Sequence, residues 1–188
     1  FINSDMHLGN NTCAIACAIY QDLYTDDEKP YAAKHLAQTI AQKGYHIDCG
    51  ILGMKYIFTA LSEYGYAETV YKLVTNPEYP SYANWINGGM TTLCETWDMK
   101  ASCNHHMYSE IDMWFYKHIA GIQINEGGES VTIKPCFIES VDFVNAKYME
   151  IKVYWDKKTI KIESNLPGKL VLNEYEVRFD KGGIYLEL

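Results

Sequence analysis

Met149-Glu150-Ile151-Lys152-Val153-Tyr154-Trp155 alternates apolar and polar side chains, and beyond Asp156-Lys157-Lys158 the rhythm resumes with Ile160 and Ile162 about Lys161. A period of two on both sides of a polar turn reads as a β-hairpin with one face buried. Short apolar runs at Val131–Ile133, Leu170–Leu172, Val177–Phe179 and Ile184–Leu186 add strands, with Pro167-Gly168 and Gly182-Gly183 as turns. Residues 122–188 are therefore expected to form an antiparallel β-sandwich.

Before Ile122 the period is helical. Asn11 to Leu23 is an alanine-rich apolar run suited to a buried helix. Asp26-Asp27-Glu28 and Pro30 supply cap and first-turn signals for a helix through Lys43, with Ala33, Leu36, Ala37, Ile40 and Ala41 on one stripe and Gly44 closing it. Ile51–Tyr64 and Ala67–Thr75 read as a helical pair about Gly65. Met107–Ile119 reads as a fifth helix, with Met107, Ile111, Trp114, Phe115 and His118 on one face. The fold class is thus α+β in two parts, helical over residues 1–121 and β over 122–188.

Polar chemistry concentrates in the loops between these helices, where sites on a helical scaffold usually lie. Gly88–Asp98, GGMTTLCETWD, sets one carboxylate, Glu95, among hydroxyl residues and Trp97. Trp85 lies just upstream and Asn104-His105-His106 just downstream. Carboxylates beside tryptophans suit proton transfer next to a platform for a sugar face. A helix-end glutamate beside core aromatics has the same composition, so this segment alone leaves both readings open.

Three further segments share its order and spacing: His46-Ile47-Asp48-Cys49-Gly50-Ile51-Leu52-Gly53, Tyr79-Pro80-Ser81-Tyr82 with Trp85, and Ser102-Cys103-Asn104-His105. Together the four resemble, in motif order, the C-terminal part of bacterial α-L-rhamnosidases, glycoside hydrolase family 78. The resemblance covers about residues 1–121 and extends more weakly over the tail. It implies the closing portion of a helical (α/α)6 barrel over residues 1–121, followed by the C-terminal β-domain that members carry.

The resemblance also implies roles. Glu95 falls on the general base of an inverting mechanism and His105 on a contact in the rhamnose subsite. His46 falls on another motif position of the subsite, and Tyr82, Trp85 and Trp97 on its aromatic surroundings, the two tryptophans as apolar walls. The implied substrate is a rhamnose-containing oligosaccharide or glycoside. Inversion needs an acid to protonate the leaving group and a base to activate water, and no segment here matches the family's acidic, arginine-rich general-acid motif. The one arginine is Arg178, in the tail. Two departures are local: Cys94 stands where the family often has tryptophan, and the connection from Asp98 to Ser102 is shorter than in many members.

A chain that opens on Phe1 reads as a piece of a longer protein, expected to meet an N-terminal remainder or to self-associate. Alone it is expected to be inactive. The alternative is a non-catalytic remnant that binds carbohydrate or forms a subunit interface.

With 24 acidic and 16 basic residues, a net charge of −8 and no basic stripe, nucleic acid is a poor partner. No apolar run approaches the roughly 20 residues of a membrane span, so no membrane partner is expected. No signal peptide is visible, and the sequence leaves bacterial cytoplasm and periplasm equally open. The six cysteines make no CxxC and no zinc-ligand rhythm with histidine, so they are expected as reduced thiols. Hydrolysis by two carboxyl groups and water calls for no cofactor and no metal. Asp48 and Asp98 are expected as capping residues, and His118 as a satisfied core histidine. His7 has no partner pattern, and Asn10-Asn11-Thr12 fits a glycosylation sequon in an apolar helical context.

Overall fold

The computed structural model describes residues 11–188, so His7 and the sequon's Asn10 lie outside the described residues. The chain divides into two compact units, one ending at Ile111 and the other running from Asp112 to Leu188.

The first unit is helical. Helix α1 (Thr12–Tyr20) starts at Asn11, whose side chain accepts the Ala14 N–H at 3.0 Å. Helix α2 (Lys29–Gln42) buries Ala32, Ala33, Leu36, Ala37 and Ile40, while Ala41, expected on the same stripe, is exposed. The acidic triplet before it does not cap as expected. Glu28 sits in helical geometry without a side-chain cap bond, and its carboxylate accepts the Thr25 N–H at 2.8 Å. Gly44 adopts φ +68°, and the following Tyr45 N–H returns to the Ile40 carbonyl at 3.0 Å, so the helix ends in a left-handed turn.

Helices α3 (Ile51–Glu63) and α4 (Ala67–Thr75) form the foreseen pair. Met54, Ile57, Phe58, Leu61, Val70 and Leu73 are essentially inaccessible. Helix α1 lies against α3 at Gly53, where a side-chain Cβ would fall 2.7 Å from Cys49 Cβ and 2.8 Å from Cys13 Sγ. A short helix α5 (Tyr82–Asn87) was not legible in the sequence; Ser81 caps it by accepting the Asn84 N–H at 2.9 Å.

The expected helix Met107–Ile119 is broken. A 3₁₀ turn (His106–Tyr108) leads to α6 (Glu110–Trp114) and a π turn (Phe115–Ile119). The wider final turn, with Ala120 N–H reaching Phe115 O at 2.8 Å, buries Trp114, His118 and Ile119 and leaves Phe115 and Met107 exposed. The Met107-Ile111-Phe115 stripe fails because the register changes at each break.

The second unit is β. Its strands are β1 (Ile122–Ile124), β2 (Val131–Ile133), β3 (Phe143–Tyr148), β4 (Ile151–Asp156), β5 (Thr159–Glu163), β6 (Gly168–Leu172), β7 (Tyr175–Phe179) and β8 (Ile184–Glu187). They make two four-stranded sheets, β1-β2-β6-β7 and β3-β4-β5-β8. The β4–β5 hairpin pairs Val153 with Ile162 and Trp155 with Ile160, so the period-two residues share one buried face. One pair departs from the antiparallel expectation: β2 and β6 run parallel, Val131 opposite Gly168. Gly168 serves that approach, since a Cβ there would stand 2.2 Å from Val131 O. Trp155 is 1% exposed and donates its indole N–H to Ile119 O at 2.9 Å. The π turn packs on β1 and β3, so the last helical residues belong to the β unit although the strand period begins only at Ile122.

Candidate functional site

The four loop segments singled out by sequence meet in the first unit. Met90 N–H bonds back to Trp85 O at 2.9 Å, turning the chain out of α5. Two stretches then run antiparallel: Glu95 N–H donates to Ser102 O at 2.8 Å and His105 N–H to Leu93 O at 2.9 Å, while the Thr92 hydroxyl donates to Cys103 O. Glu95 and His105 thus stand on adjacent, hydrogen-bonded stretches of backbone.

Glu95 is half-buried, and its Oε2 accepts a long, exposed 3.4 Å bond from the Ser102 N–H. A carboxylate held this loosely keeps lone pairs for a water molecule, which a general base requires. His105 is half-buried, with Nδ1 accepting the Met107 N–H at 3.4 Å. In the neutral ring that acceptor role places the proton on Nε2, which can donate to a sugar hydroxyl.

His46 has both nitrogens engaged, Nδ1 with Tyr79 O at 3.0 Å and Nε2 with Glu78 Oε2 at 3.4 Å. It clasps the Tyr79-Pro80 segment. Asp48 is not a cap; it accepts from the Thr12 hydroxyl and pairs with Lys43, holding α1 to the end of α2. Asp98 accepts the Thr96 hydroxyl at 2.7 Å and the Lys100 N–H at 3.3 Å, closing its own turn. The Thr96 bond, then the Lys100 backbone bond, hold its carboxyl below the usual range.

The aromatic residues take a different place from open sugar platforms. Trp85 and Trp97 stack on each other at 4.5 Å and 25°. Tyr82 meets both edge-on, at 5.4 Å and 5.2 Å. Tyr108, which no sequence signal separated from the other tyrosines, joins at 4.3 Å from Trp97. Trp85, Tyr82 and Trp97 are 2%, 5% and 9% exposed, so their faces are occupied by one another. Their polar ends bond to backbone: Trp97 to Cys49 O at 2.8 Å, Trp85 to Trp97 O at 3.0 Å and Tyr82 to Tyr108 O at 3.0 Å. Buried tryptophan and tyrosine commonly satisfy their N–H and O–H this way. Burial, with Cys49 and Tyr79 nearby, pushes the Tyr108 phenol up to about 12, so it stays neutral.

The four motif segments thus gather around one aromatic cluster, and comparison with known proteins is decisive. The family model for the bacterial α-L-rhamnosidase six-hairpin glycosidase domain matches residues 1–119. The chain belongs to that family. An α-L-rhamnosidase of Formosa agariphila is 29% identical over 196 residues, covering 93% of this chain and 21% of that protein. The chain therefore spans about a fifth of the length of that rhamnosidase. The crystal structure of native α-L-rhamnosidase from Aspergillus terreus superposes with a TM-score of 0.92 at 21% identity, over 100% of this chain and 25% of that one. The Streptomyces avermitilis α-L-rhamnosidase complexed with L-rhamnose gives 0.83 at 23% identity, over 100% of this chain and 22% of that one. The helical unit followed by two sheets is thus the fold of one segment of an α-L-rhamnosidase.

Proposed function

We propose that residues 1–121 supply the closing portion of the catalytic barrel of an inverting α-L-rhamnosidase, with 122–188 as its β-domain. Glu95 is the general base that deprotonates water, and His105 contacts the rhamnose. The observation that carries this reading is the position of the half-buried Glu95 on a stretch hydrogen-bonded to the one bearing His105. The rhamnose complex of the Streptomyces avermitilis relative supports the choice of sugar. Inversion places acid and base roughly 6.5–9.5 Å apart with water between base and anomeric carbon. No motif here supplies the acid, so in this reading it comes from the N-terminal remainder of the enzyme. Tyr82, Trp85 and Trp97 act beneath the site, fixing the loops, and His46 fixes the adjoining segment.

The test is Glu95→Gln in the full-length enzyme containing this chain, assayed on an aryl α-L-rhamnoside. Loss of about 10²–10⁴-fold in kcat with an unchanged fold is expected. Near-normal turnover would remove Glu95 from the role.

A further inference from the structure

Two cysteines face each other inside the loop that carries Glu95. Glu95 N–H to Ser102 O at 2.8 Å and His105 N–H to Leu93 O at 2.9 Å frame Cys94 on one side and Cys103-Asn104 on the other. In an antiparallel ladder such bonds bracket a non-hydrogen-bonded position, here with one extra residue as a bulge. Residues opposed at such a position have Cα atoms about 4.5 Å apart. A disulfide spans about 4.4–6.8 Å between Cα atoms, so no large backbone movement is needed. The Cys103 Sγ lies 3.8 Å from Met99 O and 3.6 Å from Ala101 O, and the Cys94 thiol is its near neighbour across the loop. Their exposures differ, Cys94 being buried and Cys103 exposed. Burial, then the neighbouring Cys103, push the Cys94 thiol up, and the exposed Cys103 is the sulfur an oxidant meets first.

We propose that Cys94 and Cys103 form a reversible disulfide on exposure to a low-molecular-weight disulfide such as oxidised glutathione, stapling the Glu95 stretch to the His105 stretch. In the first exchange the Cys103 thiolate attacks oxidised glutathione, giving a mixed disulfide and one glutathione thiol. Cys94, losing its proton, then attacks the Cys103 sulfur and expels the second glutathione thiol. The two cysteines lose two protons and two electrons, and oxidised glutathione leaves as two thiols. The link encloses residues 95–102. The inference rests on the loop geometry and is independent of the role assigned to Glu95.

Trypsin reads the link directly, because Lys72, Lys100 and Lys117 place Cys94 and Cys103 on neighbouring peptides, 73–100 and 101–117, each with no other cysteine. The folded protein is treated with oxidised glutathione, its remaining thiols are alkylated, and it is digested without reductant. The expected product is the linked pair 73–100/101–117, lighter by two hydrogens than the two peptides together and separated by dithiothreitol. Cys103→Ser, at an exposed position, removes it. Glutathione remaining on Cys103 with Cys94 alkylated, or a dominant link between other cysteines, overturns the proposal, and this readout on the unmodified sequence depends on no variant.

Discussion

Trp97 donates its indole N–H to the carbonyl oxygen of Cys49 at 2.8 Å, joining the loop that holds Glu95 to the loop that holds His46. Both ends are buried, so the bond has no water to replace it. Trp97 also sits between Trp85 and Tyr108, which makes it the centre of the cluster beneath the loops.

Trp97→Phe keeps an aromatic ring but strands the Cys49 carbonyl. An unsatisfied buried acceptor costs about 1–3 kcal/mol, and urea denaturation should show a loss of that order. In the full-length enzyme kcat should fall with it, because the Glu95 loop loses its anchor. An altered KM with unchanged stability would instead mean that Trp97 touches the sugar.

His118 should make the β unit acid-sensitive. It is 4% exposed, its Nε2 has no hydrogen-bond partner among the described residues, and burial, followed by Lys117 and Lys134, lowers its pKa to about 4. The unfolded ring titrates near ~6.5. Between these values the unfolded state binds the extra proton, so stability is complete above about 6.5 and declines as pH falls toward 4. The shift corresponds to about 3 kcal/mol at ~1.4 kcal/mol per pH unit. His118→Leu should remove that part of the slope, measured by urea denaturation between neutral pH and about pH 4.5. An equally steep variant would assign the slope to other groups.

How far the sequence determined this structure depends on what each signal measures. Helix α4 and the β4–β5 hairpin were legible because their apolar residues keep one period from end to end. Met107–Ile119 was not. Helical spacing cannot register a π turn, which shifts the buried face within the same string of residues. The parallel β2–β6 pair was equally hidden, since Val131–Ile133 reads the same whichever way its neighbour runs. Motif order singled out Glu95 and His105, and the structure sets them on adjacent, hydrogen-bonded stretches. Composition could not tell whether Tyr82 and Trp85 present open faces or stack on partners, because both need the same residues. That difference appears only when Trp85, Trp97 and Tyr108 are seen together.

Gly168→Ala should be costly although glycine's conformational freedom is not used there. The added Cβ would fall 2.2 Å from Val131 O and 2.8 Å from Phe179 Cζ. The backbone oxygen belongs to the parallel partner strand and cannot swing away. Overpacking of this kind costs about 1–3 kcal/mol, read as a lower Tm with the sheet content retained. An unchanged Tm would show that β2 and β6 can separate freely at this point.

The stereochemistry of hydrolysis tests Glu95 more sharply than its removal does. If Glu95 deprotonates water, the oxygen arrives on the face opposite the departing group in one displacement, and the first sugar released from an α-L-rhamnoside is the β anomer. If Glu95 were instead the nucleophile, a covalent intermediate and a second displacement would return the α anomer. Retaining enzymes hold their two carboxyl groups only about 5–5.5 Å apart, so the two outcomes also imply different positions for the acid that faces Glu95. Proton NMR of the full-length enzyme acting on an aryl α-L-rhamnoside, recorded before mutarotation, should show the β anomer first. Early accumulation of the α anomer would make Glu95 a nucleophile and bring the acid that faces it to about 5–5.5 Å.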